Sequence, residues 1–223
     1  MKTIVIKLGG SIVAPDDVDS KLLTEFKSII ESYVKKGYHF AIIVGGGKVC
    51  RNYQNAASKI IGTNPKTLDW LGIEVTKLNA YFVKTIFGEL ADKKIVTDYS
   101  KKISTKKPIL IGAGYKPDWS TSYDAIMLSK KLGGNELIVL SNISHVYDKD
   151  PKKFKDAKPY DNLSWDMMLK ICSGPWTPGL NAPLDPMAAS LGAKYKTKVV
   201  FLDGFENLKN YLDKKSFVGT VIN

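Results

Sequence analysis

Short apolar runs alternate with amphipathic stretches from one end of the chain to the other. Runs at Thr3–Lys7, His39–Val44, Lys94–Thr97, Pro108–Ile111, Glu136–Ser141 and Lys198–Leu202 predict strands, and Gly219–Ile222 a last extended piece. Between the first two, Leu22, Leu23, Phe26, Ile29, Ile30, Tyr33 and Val34 recur at helical spacing and Gly37 supplies the stop, which makes a βαβ unit. Further helices are expected over Lys48–Ile61, Leu68–Leu90, Thr121–Leu132, Ser164–Cys172 and Asp185–Ala193. Asp185 suits an N-cap and Pro186 a first helical residue. Strands alternating with helices predict an α/β fold, a three-layer α/β/α sandwich with a mainly parallel central sheet. With no internal repeat and no linker, residues 1–223 read as a single domain.

Two segments break the periodicity. Tyr147–Asp161 carries Pro151, Pro159 and a high charge density, and Ser173–Pro186 is rich in proline and glycine around Trp176, so both read as loops. Loops after the carboxyl ends of parallel strands are where such sheets place ligands.

Composition narrows the class. With 44% hydrophobic and 25% charged residues over 223 positions, the chain can bury a sizeable core. No apolar run approaches the roughly 18 residues that cross a bilayer, and the start lacks a signal-peptide cleavage pattern. A cytoplasmic protein without a membrane partner is expected. Cys50 and Cys172 are too few for a disulfide framework, and with His39 and His145 far apart no metal-ligand spacing is present. The balance of 33 basic against 22 acidic residues gives +11, a charge that suits an anionic partner. The lysines are scattered, however, and Arg51 is the single arginine, whereas reading nucleic acid favours the guanidinium fork. A lysine-rich solvated surface is the expectation, and nucleic acid is not expected as a partner.

Candidate chemistry lies in two glycine loops. Lys7-Leu8-Gly9-Gly10-Ser11 ends the first strand, where adjacent glycines let bare N–H groups approach phosphate oxygens and a lysine adds positive charge. Val44-Gly45-Gly46-Gly47-Lys48-Val49-Cys50-Arg51 follows the second strand and opens a helix, whose first-turn N–H groups have no partners within it. Arg51 lies one turn on, either as a phosphate contact or as a surface residue. Neither loop fits the P-loop or the dinucleotide-binding pattern.

Together with Asp69-Trp70-Leu71-Gly72-Ile73, Thr76-Lys77-Leu78-Asn79-Ala80 and Val146-Tyr147-Asp148-Lys149-Asp150-Pro151-Lys152, these loops resemble the amino acid kinase family. The likeness is nearest to its archaeal-type UMP kinases and runs to Gly219-Thr220-Val221-Ile222. It implies transfer of the ATP γ-phosphoryl group to UMP, with Mg²⁺, in a homo-oligomer that is hexameric in relatives. Gly10, Ser11, Gly47 and Arg51 would then line the ATP phosphates, Gly46 would approach the UMP phosphate, and Lys7 would stabilise the group in transit. Asp69 would accept hydrogen bonds from the UMP ribose. As a residue read by itself, it is equally a helix N-terminal acid favoured by the macrodipole. Ser141, Tyr147 and Asp150 match positions that touch ATP.

Two segments depart from the family pattern. Ser144-His145 stands where an Asp-Gly pair is usual, so His145 is either a base contact or a polar surface residue. Gly112–Asp124 is about three residues longer than the family's acceptor loop. Within it Gly114, Trp119, Ser120 and Thr121 would contact UMP, and Asp124 would match the family's catalytic aspartate. Trp119 would stack on a base or pack against a neighbouring subunit. A phosphate nucleophile is already ionised at neutral pH, so a site of glycines, lysine and arginine without a poised histidine suffices, and no protein metal ligand is assigned. Other small acceptors, and a non-catalytic nucleotide-binding protein on the same fold, stand as alternatives.

Overall fold

The computed structural model describes residues 3–14, 18–62, 64–151, 153–174 and 183–223. Trp176 and most of the predicted loop Ser173–Pro186 therefore lie outside the described residues, as does Lys152. Strands β1 (Thr3–Leu8), β2 (His39–Val44), β3 (Ile109–Gly112), β4 (Glu136–Ser141) and β8 (Lys198–Asp203) form a parallel sheet in the order β3-β2-β1-β4-β8. It is extended by β9 (Gly219–Ile222), antiparallel to β8, and then by β7 (Asn162–Leu163). A separate antiparallel pair, β5 (Val146–Tyr147) with β6 (Pro159–Tyr160), closes an excursion within the segment read as loop.

Because successive strand residues point to opposite faces, each buried strand feeds two cores. Ile6, Leu8, Ile42, Val44, Ile138 and Leu140 face one way. They meet Phe26 and Ile30 of α2 (Ser20–Lys35), Val83 and Phe87 of α4 (Pro65–Phe87), and Phe205 and Leu208 of α8 (Phe205–Leu212). Val5, Ala41, Ile43, Leu137, Val139 and Val199 face the other way. Those pack on Ala125 and Leu128 of α5 (Thr121–Lys131), Met168 of α6 (Trp165–Ile171) and Ala188 and Leu191 of α7 (Pro186–Tyr195). The sandwich predicted from the alternation is present. Two short-range elements complete it: α1 (Gly10–Val13) after the first glycine loop and α3 (Gly47–Ile61) after the second, the latter packed on α4.

The predicted strand Lys94–Thr97 does not form. Only Val96 bridges to Gly112, because the Asp92 and Asp98 carboxylates take the N–H groups of Lys94 and Ser100, both at 2.9 Å, and turn the backbone out of the ladder. Helix α4 begins at Pro65, three residues before the predicted start. Asn64 caps it by accepting from Thr67 N–H at 3.2 Å and Pro65 fills the first position, while Gly88 at φ +52 ends it. Helix α8 has no counterpart among the predicted elements; it follows β8 through Gly204 at φ +76 and buries Phe205, Leu208 and Leu212.

Candidate active site

Registers decide where the loops emerge. Leu8 pairs with Val44 on one side and with Leu140 on the other, so the chain leaves β1, β2 and β4 at one level. Gly9 N–H then donates to Leu140 C=O at 3.0 Å and Gly45 N–H to Leu8 C=O at 2.9 Å. The two glycine loops lie directly on each other. A Cβ placed on Gly10 would sit 2.2 Å from the Gly47 nitrogen and 2.5 Å from the Gly45 oxygen, and one on Gly47, at φ +68, would sit 2.4 Å from the Gly10 carbonyl carbon. Only bare backbone fits such an approach. From α4, Asn79 Nδ2 donates to the Gly45 and Gly46 carbonyls at 2.9 and 3.3 Å and pins the second loop. Helix α3 opens after Gly46 with no side chain capping its first turn, which leaves its amides to a ligand.

Lys7 sits at the end of β1 on the face shared by Val5, and its lateral neighbours in the sheet are Ile43 and Val139. A hydrocarbon-flanked ammonium is poorly solvated: burial pushes the Lys7 pKa below its ordinary value, and the nearby Asp185 carboxylate opposes this. Lys7, Gly10, Ser11, Gly46, Gly47 and Arg51 all line one cleft, with Ser141 at its β4 side.

The opposite wall is the segment Gly114–Ser120, which runs into α5 at Thr121, and it is tied down by side chains. Thr76 Oγ1 accepts from Gly114 N–H at 2.8 Å while donating to Ile73 C=O at 2.6 Å. Asp69 Oδ2 accepts from Asp118 N–H at 2.8 Å, holding Asp118 at φ +69. Ser120 caps α5 by accepting from Tyr123 N–H at 3.1 Å and donates its hydroxyl to Asp185 Oδ2. Trp119 lies between Tyr115 and Tyr123, ring centroids 5.4 and 4.3 Å away, with Lys116 Nζ 4.3 Å from its ring. Asp69, Gly114, Trp119, Ser120 and Thr121 line the cleft.

Several sequence readings change here. Asp69 is in the second turn of α4 and Asn64 is the cap, so the N-terminal-acid reading of Asp69 fails; the acid fastens the opposing loop. Trp119 packs first within an aromatic cluster of its own chain. Asp124 is wholly buried behind the wall and does not line the cleft. One of its oxygens accepts from Tyr115 N–H at 3.2 Å and the other has no partner among the described residues, and burial drives its pKa well above the ordinary range. Tyr147 and Asp150 also lie away from the lining, Tyr147 sharing a 3.2 Å hydrogen bond with Ser144 and Asp150 being exposed. His145 is not a surface residue: its side chain is 13% exposed, and it lines the cleft between Ser144, 3.0 Å from Nδ1, and Asp161, 3.4 Å from Nε2.

Sequence reasoning missed Gln54, Thr76 and Asn79 as supports of the cleft and saw Asp185 only as a cap. Their signal was a polar residue on the buried face of a helix for Gln54, Thr76 and Asn79 and a buried cap for Asp185, since all four are less than a tenth exposed. Among the described residues no group of three or more His, Cys, Asp or Glu forms a metal site, and no helix is long and apolar enough to cross a membrane.

A model of the amino acid kinase family matches residues 2–203. The uridylate kinase of Methanocaldococcus jannaschii is 31% identical over 98% of each chain, and that of Thermococcus onnurineus 32% identical over the same share of each. The crystal structure of uridylate kinase from Archaeoglobus fulgidus superposes with a TM-score of 0.83 at 30% identity, both chains being covered in full.

Proposed function

Because the chain belongs to the amino acid kinase family, we propose that it is a UMP kinase, transferring the γ-phosphoryl group of ATP to UMP to give UDP. The observation that carries this reading is the cleft itself, in which two stacked glycine loops with Lys7 at their base face a separate loop anchored to Asp69. One wall offers backbone N–H groups, Lys7 and Arg51, the chemistry of a phosphate chain. The other offers a carboxylate, hydroxyls and an aromatic cluster, the chemistry of a nucleoside.

In this reading Gly10, Ser11, Gly47 and Arg51 hold the ATP phosphates and Gly46 approaches the UMP phosphate. Lys7, desolvated among Ile43 and Val139, meets the negative charge that gathers on the group in transit, where a fixed cation acts most strongly. Asp69 takes the ribose, Gly114, Trp119, Ser120 and Thr121 complete the UMP side, and Ser141, with Tyr147 and Asp150 outside the lining, belongs to the ATP side. The attacking oxygen is already ionised, so the residues have to orient two anions and exclude water; no group need take a proton. Asp124, buried behind the acceptor wall, acts on the site through the loop it holds. Magnesium would be carried by the nucleotide phosphates and water, supplying charge neutralisation.

A single amino-acid-kinase domain over 1–223, with the acceptor site in its N-terminal part and the ATP site in its C-terminal part, belongs to the same proposal. So do a cytoplasmic role in pyrimidine nucleotide synthesis and a homohexamer. Tyr53 of α3 and Leu78 and Tyr81 of α4 are exposed apolar residues that support self-association. The test of function is ADP release with Mg-ATP across UMP, CMP, dUMP and unrelated small acceptors. Turnover is expected with UMP above the others; background turnover with UMP beside good turnover of another acceptor would remove the assignment.

A further inference from the structure

Asp185 is only 5% exposed, yet it is a carboxylate at the wall of the cleft. Its Oδ1 accepts from the N–H groups of Met187 and Ala188, both at 3.0 Å, which caps α7. A cap needs no more than that one oxygen, and serine or asparagine does the job as well. The second oxygen reaches across the fold to the hydroxyl of Ser120, which is itself the N-cap of α5 and the last residue of the acceptor wall. One buried carboxylate thus joins two helix N-termini that open on the same cleft, where the partial positive charge of each helix end favours it. Lys7, across the floor, feels the same charge.

We infer that Asp185 is a positioning residue that, through Ser120, fixes the acceptor wall Gly114–Ser120 against the phosphate-transfer end of the cleft. The rest of that wall is fastened from α4 by Thr76 and Asp69 and from α5 by Asp124, all at points before Ser120. Without the Asp185–Ser120 link, the wall would be held at its start and middle and released where it enters α5. The donor side would not notice, because the stacked glycines and Asn79 hold it independently. The inference rests on the acceptor-site reading above for its kinetic consequence, but its structural consequence stands apart from any substrate.

The test uses the full-length protein and the variants Asp185→Asn, Ser120→Ala and both together. Asparagine keeps the cap of α7 while removing the charge that the serine hydroxyl binds. Amide hydrogen exchange over residues 114–120 should quicken about tenfold or more in each single variant, as loss of one charge-assisted hydrogen bond implies, and the double variant should add nothing further. Exchange over Gly45–Gly47 should not change. In turnover assays the KM for UMP should rise by about the same factor in Asp185→Asn, with the KM for ATP unchanged. Unchanged exchange over 114–120, equal quickening in both regions, or additive effects in the double variant would each overturn the link. Should the parent prefer another acceptor, the UMP reading fails on its own, and the exchange result still decides this one.

Discussion

The two walls of the cleft are built on opposite principles. The donor wall is backbone against backbone: Gly10 and Gly47 are so close that neither tolerates a Cβ, and the hydrogen bonds from Gly9 and Gly45 run to the main chain of neighbouring strands. The acceptor wall is backbone held by side chains drawn from α4, α5 and the cap of α7, each making one bond to a different point along it. A wall of the first kind has a single geometry set by sterics and fails as a unit. A wall of the second kind has distributed anchors, so losing one shifts a binding constant before it abolishes a reaction.

The strongest way to break this contrast is Gly10→Ala. The added methyl meets main-chain atoms of Gly45, Gly46 and Gly47 at 2.2–2.5 Å, and no flexible side chain is available to yield. Overpacking of this sort costs about 1–3 kcal/mol or more, and the loops must part to relieve it. ADP release should fall to background and the melting temperature by several degrees. An active, stable Gly10→Ala protein would show that the stacked geometry is not needed.

Next in size is Lys7→Ala, which leaves the donor backbone intact and removes its only charge at the β1 end. Loss of one contact to developing charge lowers turnover by about two orders of magnitude, while ATP binding, measured by titration, should change far less. Turnover within a few-fold of the parent would take Lys7 out of the mechanism. A smaller effect is expected on the acceptor wall from Asp69→Asn. The amide oxygen can still accept from Asp118 N–H, so the loop and the melting temperature should be preserved. Charge-assisted bonds to the ribose, worth about 1.5–3 kcal/mol, weaken, and the KM for UMP should rise about tenfold with that for ATP unmoved. A UMP constant equal to the parent's would leave Asp69 as a loop anchor only.

The same contrast explains what was legible in the sequence. The donor wall is local: strand, glycines, helix start, each within a few residues, so Lys7-Leu8-Gly9-Gly10-Ser11 and Val44-Gly45-Gly46-Gly47-Lys48 could be read directly, as could the alternating strands that place them at one level. The acceptor wall depends on contacts 38, 49 and 65 residues apart in sequence, from Thr76, Asp69 and Asp185. No spacing rule encodes such pairings. For that reason Asp69 read by itself is equally a ribose acceptor or a helix acid, Asp185 reads as a simple cap, and Trp119 reads as stacking on a base or packing against a neighbouring subunit. The false strand Lys94–Thr97 has a local cause instead, since the flanking Asp92 and Asp98 compete for the backbone within two residues.

The smallest effect separates the walls by pH. The donor glycines carry no titratable group, so the stability lost in Gly10→Ala should not depend on pH between 4 and 8. Behind the acceptor wall, Asp124 is wholly buried with one oxygen unpartnered among the described residues, and burial raises its pKa well above the ordinary 3.8 in spite of the Tyr115 N–H and Lys116. For a carboxyl raised on folding, the unfolded chain gives up its proton first. The associated stability is therefore fully present below about pH 3.8 and is lost as pH rises toward the folded value. Asp124→Asn keeps an acceptor for Tyr115 and removes the proton. Its melting temperature should exceed the parent's at neutral pH, and the gap should close as pH falls toward 4. A difference of constant size across that range would mean that Asp124 is not titrating in the fold, and that its missing partner is supplied by something other than a proton.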